Sequence, residues 1–267
     1  PDYATLYLGD NARAPYGDRS QDVITAWVKE CCSFLFDQGC TLIILACNTA
    51  SAEALRTLQQ EWLPTFGGQE GQEGQKGHWN ILGVVRPLAE EAVLHTKNNR
   101  IAVIGTRRTV ESQAYVRELK DLQPDVTVLQ QACPLLVPLV EEGWTDTPET
   151  TRIVRSYLRN LKTQNPDTLV LGCTHYEALH PLFKRLMGRR CTVLHSPMIV
   201  AEKLKAYLAR HTEYDQAIER SGNLTFLTTG DPVRFRDAGE RFFGKTLPNV
   251  QQVRIPAISL AKGEGDS

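Results

Sequence analysis

Two cysteines in this 267-residue chain stand in the same local setting. The stretch "LVLGCTHYEAL" (169–179) carries Cys173 directly behind an apolar run, and "LIILACNTASAEAL" (42–55) carries Cys47 in the same place. Glu-Ala-Leu follows each cysteine, as Glu53 to Leu55 and as Glu177 to Leu179, so the two stretches read as a duplicated half-domain. A cysteine that ends a strand and opens a helix has free N–H groups and the positive end of the helix dipole beside it, which lowers a thiol's pKa. Both are therefore expected to be thiolates. Two thiols facing one cleft from pseudo-symmetric lobes suit one chemistry: taking a proton from one face of a stereocentre and returning it to the other. A nucleophilic mechanism needs a single cysteine with a base beside it, so the duplication is the discriminating feature. Taken alone, either cysteine reads as a buried small hydrophobe. His175, two residues past Cys173, is placed to orient or reprotonate that thiol, or to cap the helix. His95, His180, His195 and His211 have no such neighbour and read as surface or packing residues.

Positioning these residues requires strands that end at a common edge. Apolar runs at 4–9, 41–46, 81–85, 101–106, 168–172 and 224–229 are each followed by small or polar residues and then by helical spacing, the pattern of βα units around a parallel sheet. In such sheets ligands lie beyond the carboxyl ends of the strands, where Cys47 and Cys173 fall. Between the first two runs, Ile24, Trp27, Val28, Cys31 and Leu35 recur at helical spacing, with Ser20 as N-cap and Gly39 as end signal. Cys31 then belongs to the buried stripe. The fold class expected is α/β, two pseudo-symmetric lobes with mostly parallel sheets flanked by helices, one of residues 1–88 and 196–267 and the other of 89–195, with the site in the cleft between them. Residues 67–80, rich in Gly and Gln, read as a surface insertion whose return is anchored by His78 and Trp79; the tail "AKGEGDS" is expected to fray.

Composition removes several function classes. With 42% hydrophobic residues the chain can bury a substantial core, and 30 basic against 31 acidic residues give no bias toward nucleic acid or an anionic membrane. A small polar partner fits better. No apolar run is long enough to span a bilayer and no secretory leader is legible, so a cytoplasmic protein is expected. Seven cysteines without a CxxC pair argue against a disulfide framework or a zinc ribbon, and no metal is expected. Other strand-end groups offer ligand contacts: Thr106 and Thr109 could hold a carboxylate, the Pro15-Tyr16-Gly17 turn lies near Asn11 and Arg13, and Glu141 could pair with an ammonium group. Each of these alone reads as a cap, a turn or a solvated charge.

The segments "YLGDNARAPYGDRS", "ACNTAS", "AVIGTRRTVESQAY", "ACPLLVPLVEEGW", "LGCTHY" and "TFLTTGDPVRFRDAGERFFGKTLPNV" resemble, in order and over nearly the whole chain, the glutamate racemase family. The resemblance implies cofactor-independent interconversion of L- and D-glutamate, supplying D-glutamate for peptidoglycan, without metal, pyridoxal phosphate or nucleotide. It implies that Cys47 acts on the proton of the D-enantiomer and Cys173 on that of the L-enantiomer with help from His175. Asn48, Thr49 and Thr174, with Pro15-Tyr16-Gly17, would bind glutamate, and Glu141 would sit at the site. A homodimer is open under the same resemblance. Family members carry a strand ending in Asp-Ser-Gly ahead of the point where this sequence starts, so the chain as given is expected to be truncated. It would lack the aspartate partner of Cys47, a serine substrate contact and an inner strand of the first lobe's sheet, leaving backbone groups unpaired. Neither Asp2 nor Asp10 is placed to replace that aspartate. Arg86, Leu88 and His195 also depart from the family pattern. The rival readings are an aspartate or hydantoin racemase of the same superfamily, and an inactive racemase fold kept for binding a protein.

Overall fold

A computed structural model describes residues 2–66 and 79–257; the insertion apart from Trp79 and Asn80, and the C-terminal tail, lie outside them. The strands are β1 (Thr5–Gly9), β2 (Leu42–Leu45), β3 (Asn80–Gly83), β4 (Arg100–Gly105), β5 (Thr127–Ala132), β6 (Thr168–Gly172), β7 (Thr192–Val193), β8 (Leu224–Thr228) and β9 (Val250–Gln252). The helices are α1 (Gln21–Asp37), α2 (Asn48–Thr57), α3 (Val85–His95), α4 (Arg107–Glu111), α5 (Ala114–Leu122), α6 (Leu136–Glu141), α7 (Pro148–Thr163), α8 (His180–Met187), α9 (Ser196–Arg210), α10 (Thr212–Ala217) and α11 (Pro232–Phe243). Short 3-10 turns cover Tyr16–Asp18 and Thr174–Leu179.

All strand pairs are parallel, as the βα pattern requires. One sheet has the order β5-β4-β6-β7. Its two central strands are buried on both faces, and alternate residues feed different cores: Ala102, Ile104, Leu169 and Leu171 on one side, Ile101, Val103 and Val170 on the other. Each such Leu or Ile contributes roughly 1.5–3 kcal/mol by leaving water. The remaining strands form two smaller sheets, β1-β8-β9 and β2-β3. Among the described residues β1 and β2 do not pair with each other, and their facing edges line a groove together with Val28, Cys31 and Leu35 of α1.

Helix α1 corrects one expectation. It starts after Ser20 and ends before Gly39, whose φ of +89° lets the chain turn back, but its buried stripe is Ile24, Val28, Cys32 and Phe36. Trp27, Cys31 and Leu35 are only half-buried. The ring of Trp27 instead meets Tyr16 at 5.4 Å, and Arg13 Nη2 lies 3.4 Å from the Cys31 sulfur, because a polar turn after β1 covers that face. The run expected at 81–85 is also shorter, since Val85 already opens α3. Trp79 does anchor the chain, packing on Phe36 and Phe66 at 5.9 and 5.0 Å.

Candidate active site

The carboxyl ends of β2 and β6 deliver Cys47 and Cys173 to one cleft of about 1060 Å³, which is continuous with the groove between β1 and β2. Pleat geometry explains the delivery: each strand ends one residue or two before its cysteine, and the next residue starts a helical turn. Cys47 caps α2, and its carbonyl accepts from Ser51 N at 2.9 Å; Cys173 caps the 3-10 turn, and its carbonyl accepts from Tyr176 N at 3.1 Å. Cys173 is buried, whereas Cys47 touches solvent.

The protonation expected of Cys173 is overturned, and the pKa of Cys47 is shifted in the same direction. Although Cys47 is exposed to the cleft, the protein crowded around it raises its pKa, while the N–H groups of Ala50 and Thr49 and the Thr49 hydroxyl pull it back. Burial also pushes Cys173 up to about 12; Cys47 raises it further, the N–H groups of His175 and Tyr176 lower it and Glu141 raises it. Helix-start donors are present at both cysteines, but desolvation outweighs them. Because a charge on one thiol raises the other, the pair resists holding two negative charges at once.

His175 bridges the second thiol to an acid. Its Nε2 lies 3.2 Å from Glu141 Oε1, and its Nδ1 faces the Cys173 sulfur at 4.0 Å. With Nε2–H donating to the carboxylate, Nδ1 is left as the acceptor toward the thiol. The hydrogen bond from His175 holds the Glu141 carboxyl below the usual carboxylate range. Glu141 thus has a histidine for a partner within the protein.

Three threonine hydroxyls form a cluster that begins at Thr49, next to Cys47. Thr49 Oγ1 lies 3.0 Å from Thr106 Oγ1 and 3.2 Å from Thr109 Oγ1, and Thr106 caps α4 by accepting from Thr109 N at 3.2 Å. Thr49 and Thr106 line the cleft, but Thr109 is fully buried behind them, so it supports the other two hydroxyls and does not face a ligand. Asn48 is buried, and its Oδ1 accepts from Tyr115 OH at 2.5 Å. Pro15, Tyr16 and Gly17 also line the cleft, as do Glu141 and Thr174. Gly17 packs so closely that a Cβ on it would lie 2.9 Å from Thr106 Cβ. Asn11 lines the cleft and accepts from Thr228 Oγ1 at 3.1 Å, whereas Arg13 is held away from it by Asp10 and Glu30.

Sequence reasoning missed two supporting residues. Asp10 accepts from Arg13 Nε at 2.6 Å, from Thr229 Oγ1 at 2.8 Å and from the Tyr16 hydroxyl, and so pins the turn that carries Tyr16 and Gly17. Its only signal was an acid directly after a strand and before that turn. Tyr115 lies in the quoted "VESQAY" but offered no sign of its long-range bond to Asn48. Among the described residues no cluster of three or more His, Cys, Asp or Glu could hold a metal, and no helix is long and apolar enough to cross a membrane.

Known proteins resemble this chain in sequence and fold. A glutamate racemase of Geobacter metallireducens is 37% identical over 258 residues, covering 96% of this chain and 89% of that protein. The crystal structure of a glutamate racemase of Bacillus anthracis superposes with a TM-score of 0.83 at 32% identity, over 97% of this chain and 90% of the other. That of Thermus thermophilus, in complex with β-chloro-D-alanine, gives 0.73 at 33% identity over 96% and 88%. Residues 1–204 match the family described as Asp/Glu/Hydantoin racemase. A match of that extent, together with relatives that align over nearly the whole chain, shows that the chain belongs to the Asp/Glu/hydantoin racemase family.

Proposed function

We propose that the chain is a glutamate racemase that interconverts L- and D-glutamate through Cys47 and Cys173, without metal or organic cofactor. The observation that carries this reading is the pair of pseudo-equivalent cysteines at the ends of β2 and β6, lining one cleft and electrostatically coupled. The glutamate racemases that align over nearly the whole chain support the choice of substrate.

Chemistry follows from the coupling. The resting pair carries one negative charge at most. With Cys173 as thiolate and Cys47 as thiol, L-glutamate loses its α-proton to the Cys173 sulfur, and the electron pair left on Cα spreads into the α-carboxylate. Cys47 gives its proton to the opposite face, so the product is D-glutamate, Cys47 is the thiolate and Cys173 the thiol. D-glutamate runs the same sequence backwards. His175, held by Glu141, returns the proton to or from Cys173 between turnovers. Asn48, Thr49, Thr106 and Thr174 supply donors to the substrate's carboxylates, and Pro15, Tyr16 and Gly17 contribute backbone to the same cleft; Thr109 holds Thr49 and Thr106 in place. Residues 1–88 with 196–267 form one lobe in this reading and 89–195 the other. The product feeds peptidoglycan synthesis in the cytoplasm.

Incubated in D2O, the protein should incorporate α-deuterium into both glutamate enantiomers, followed by proton NMR. Absence of exchange with either enantiomer would falsify the reading, and faster exchange of aspartate would move the substrate to the shorter amino acid.

A further inference from the structure

The duplicated stretches repeat more than their cysteines. Glu53 and Glu177 occupy the equivalent Glu-Ala-Leu, and neither has a part in the proton transfers above. Both are shielded from water, with side chains only 3% and 14% exposed. In the interior a carboxylate is costly even when paired, and these two are held by few contacts: Oε1 of Glu53 by an ion pair with Arg108 at 2.9 Å, and Oε2 of Glu177, without a hydrogen bond, 3.9 Å from His195 Nε2. A neutral or apolar side chain of similar size would cost the fold less. The same expensive choice at both equivalent places calls for a use.

Each carboxylate ties the turn behind its cysteine to another helix. Glu53 sits on α2, whose first residue follows Cys47, and it meets Arg108 Nη2 of α4 at 2.9 Å; α4 is the helix that presents Thr106 and Thr109. Glu177 sits in the turn that begins after Cys173, and its Oε1 accepts from Ser196 N at 2.9 Å, the first residue of α9. The α9 helix carries the chain from the four-stranded sheet back toward β8. An acid at that helix start also meets the positive end of its dipole. One tie therefore fixes α2 against the helix of another sheet, and the other fixes the Cys173 turn against the returning helix.

We propose that Glu53 and Glu177 are paired positioning residues, each setting the line along which its own cysteine approaches the α-carbon. The inference rests on the two-thiol reading. A misplacement of about 1 Å can cost a hundredfold in a proton transfer, so each tie has leverage on rate without touching substrate.

Racemisation offers a readout that a merely structural role would not move. Enantiomers have equal free energy, so kcat/KM must stay equal in the two directions for every variant, and rates alone cannot say which side is damaged. Isotope effects can. When the Cys47 step is slowed, cleavage of the C–D bond of [2-2H]-D-glutamate becomes more rate-limiting and its primary isotope effect grows. Cleavage of [2-2H]-L-glutamate by Cys173 becomes more reversible, and its isotope effect shrinks.

Glu53→Met is expected to lower kcat/KM by about tenfold to a hundredfold, raise the isotope effect from D-glutamate and lower that from L-glutamate. Glu177→Met is expected to show the mirror image. Partner-side variants repeat the test without touching the acids. Arg108→Met removes the cation, and Ser196→Pro removes the N–H at a helix position where proline is favoured. Each should match the sign of its own glutamate, and Arg108→Lys should recover most of the Arg108→Met loss. If the acid variants fail to fold, the partner-side pair decides. Isotope effects that are unchanged, or that move together for both enantiomers, overturn the proposal. Absence of α-exchange by the unaltered protein would instead sink the racemase reading.

Discussion

At neutral pH the proton on Cys173 is held by its surroundings: the thiol is buried, the neighbouring Cys47 disfavours a second charge, and Glu141 adds a negative group beyond His175. A base that must lose this proton is scarce at pH 7, so kcat/KM should rise as pH increases from neutral toward the thiol range. A profile that falls over that interval would contradict the assignment of a thiolate as base. Replacing either sulfur is harsher, because a serine hydroxyl is a far weaker acid and cannot reach the required anion. Cys47→Ser and Cys173→Ser should each abolish racemisation, read as an optical rotation that stays constant from either pure enantiomer; full activity in one of them would end the two-thiol mechanism. The positions of both cysteines were legible because a strand end followed by a helix start is a local pattern. Their protonation was not, since it depends on how much protein closes over the sulfur from distant segments, and no local pattern carries that.

Among the elements, α2 and the turn after β1 decide how the substrate is held. Tyr115, on α5, reaches across to Asn48 at the start of α2, and both are buried. Removing the hydroxyl leaves the Asn48 oxygen without that donor, so Tyr115→Phe should cost about 1–3 kcal/mol in urea unfolding and raise KM for glutamate. Gly17→Ala acts from the turn after β1. Its new Cβ would crowd Thr106 Cβ at 2.9 Å, pushing the Tyr16 turn away from the threonine cluster, so KM should rise severalfold while the melting temperature moves little. An unchanged KM would show that this turn does not set substrate affinity. Strands with long apolar runs were readable, as at β4 and β6. The missed strands were short or lay at a sheet edge: β7 has two residues, β9 three, and β5 carries Gln130 and Gln131. An edge strand tolerates such polarity, which erases the signal that reveals a central one. The stripe of α1 slipped for another reason, since the Asp10-Arg13-Tyr16 turn covers a face that periodicity alone assigns to the core.

Across the whole molecule, reduced thiols are distributed through separate cores, and this makes stability depend on alkaline pH. Cys32 belongs to the core around α1, β2 and β3, while Cys133, Cys173 and Cys191 belong to one face of the four-stranded sheet. Burial raises all four; Cys173 and Cys191 reach about 12, and half-buried Cys31 also reaches about 12, against an ordinary thiol value of 9.0. A raised pKa means that the folded state keeps protons which the unfolded chain releases. The stabilisation is therefore complete below about pH 9, and it is lost progressively as pH climbs through the folded values near 12. Buried Tyr115 and Tyr176 are raised by the same desolvation and steepen the fall above their ordinary value of 10.0. The melting temperature should accordingly stay level up to about pH 9 and then drop steeply. Cys133→Val separates the thiols from the phenols: it removes one releasable proton from a core position, so its curve should fall less between pH 9 and 10 than that of the unaltered chain. A melting temperature that stays flat to pH 11, or a Cys133→Val curve parallel to the original, would mean that these sulfurs ionise without unfolding the core around them.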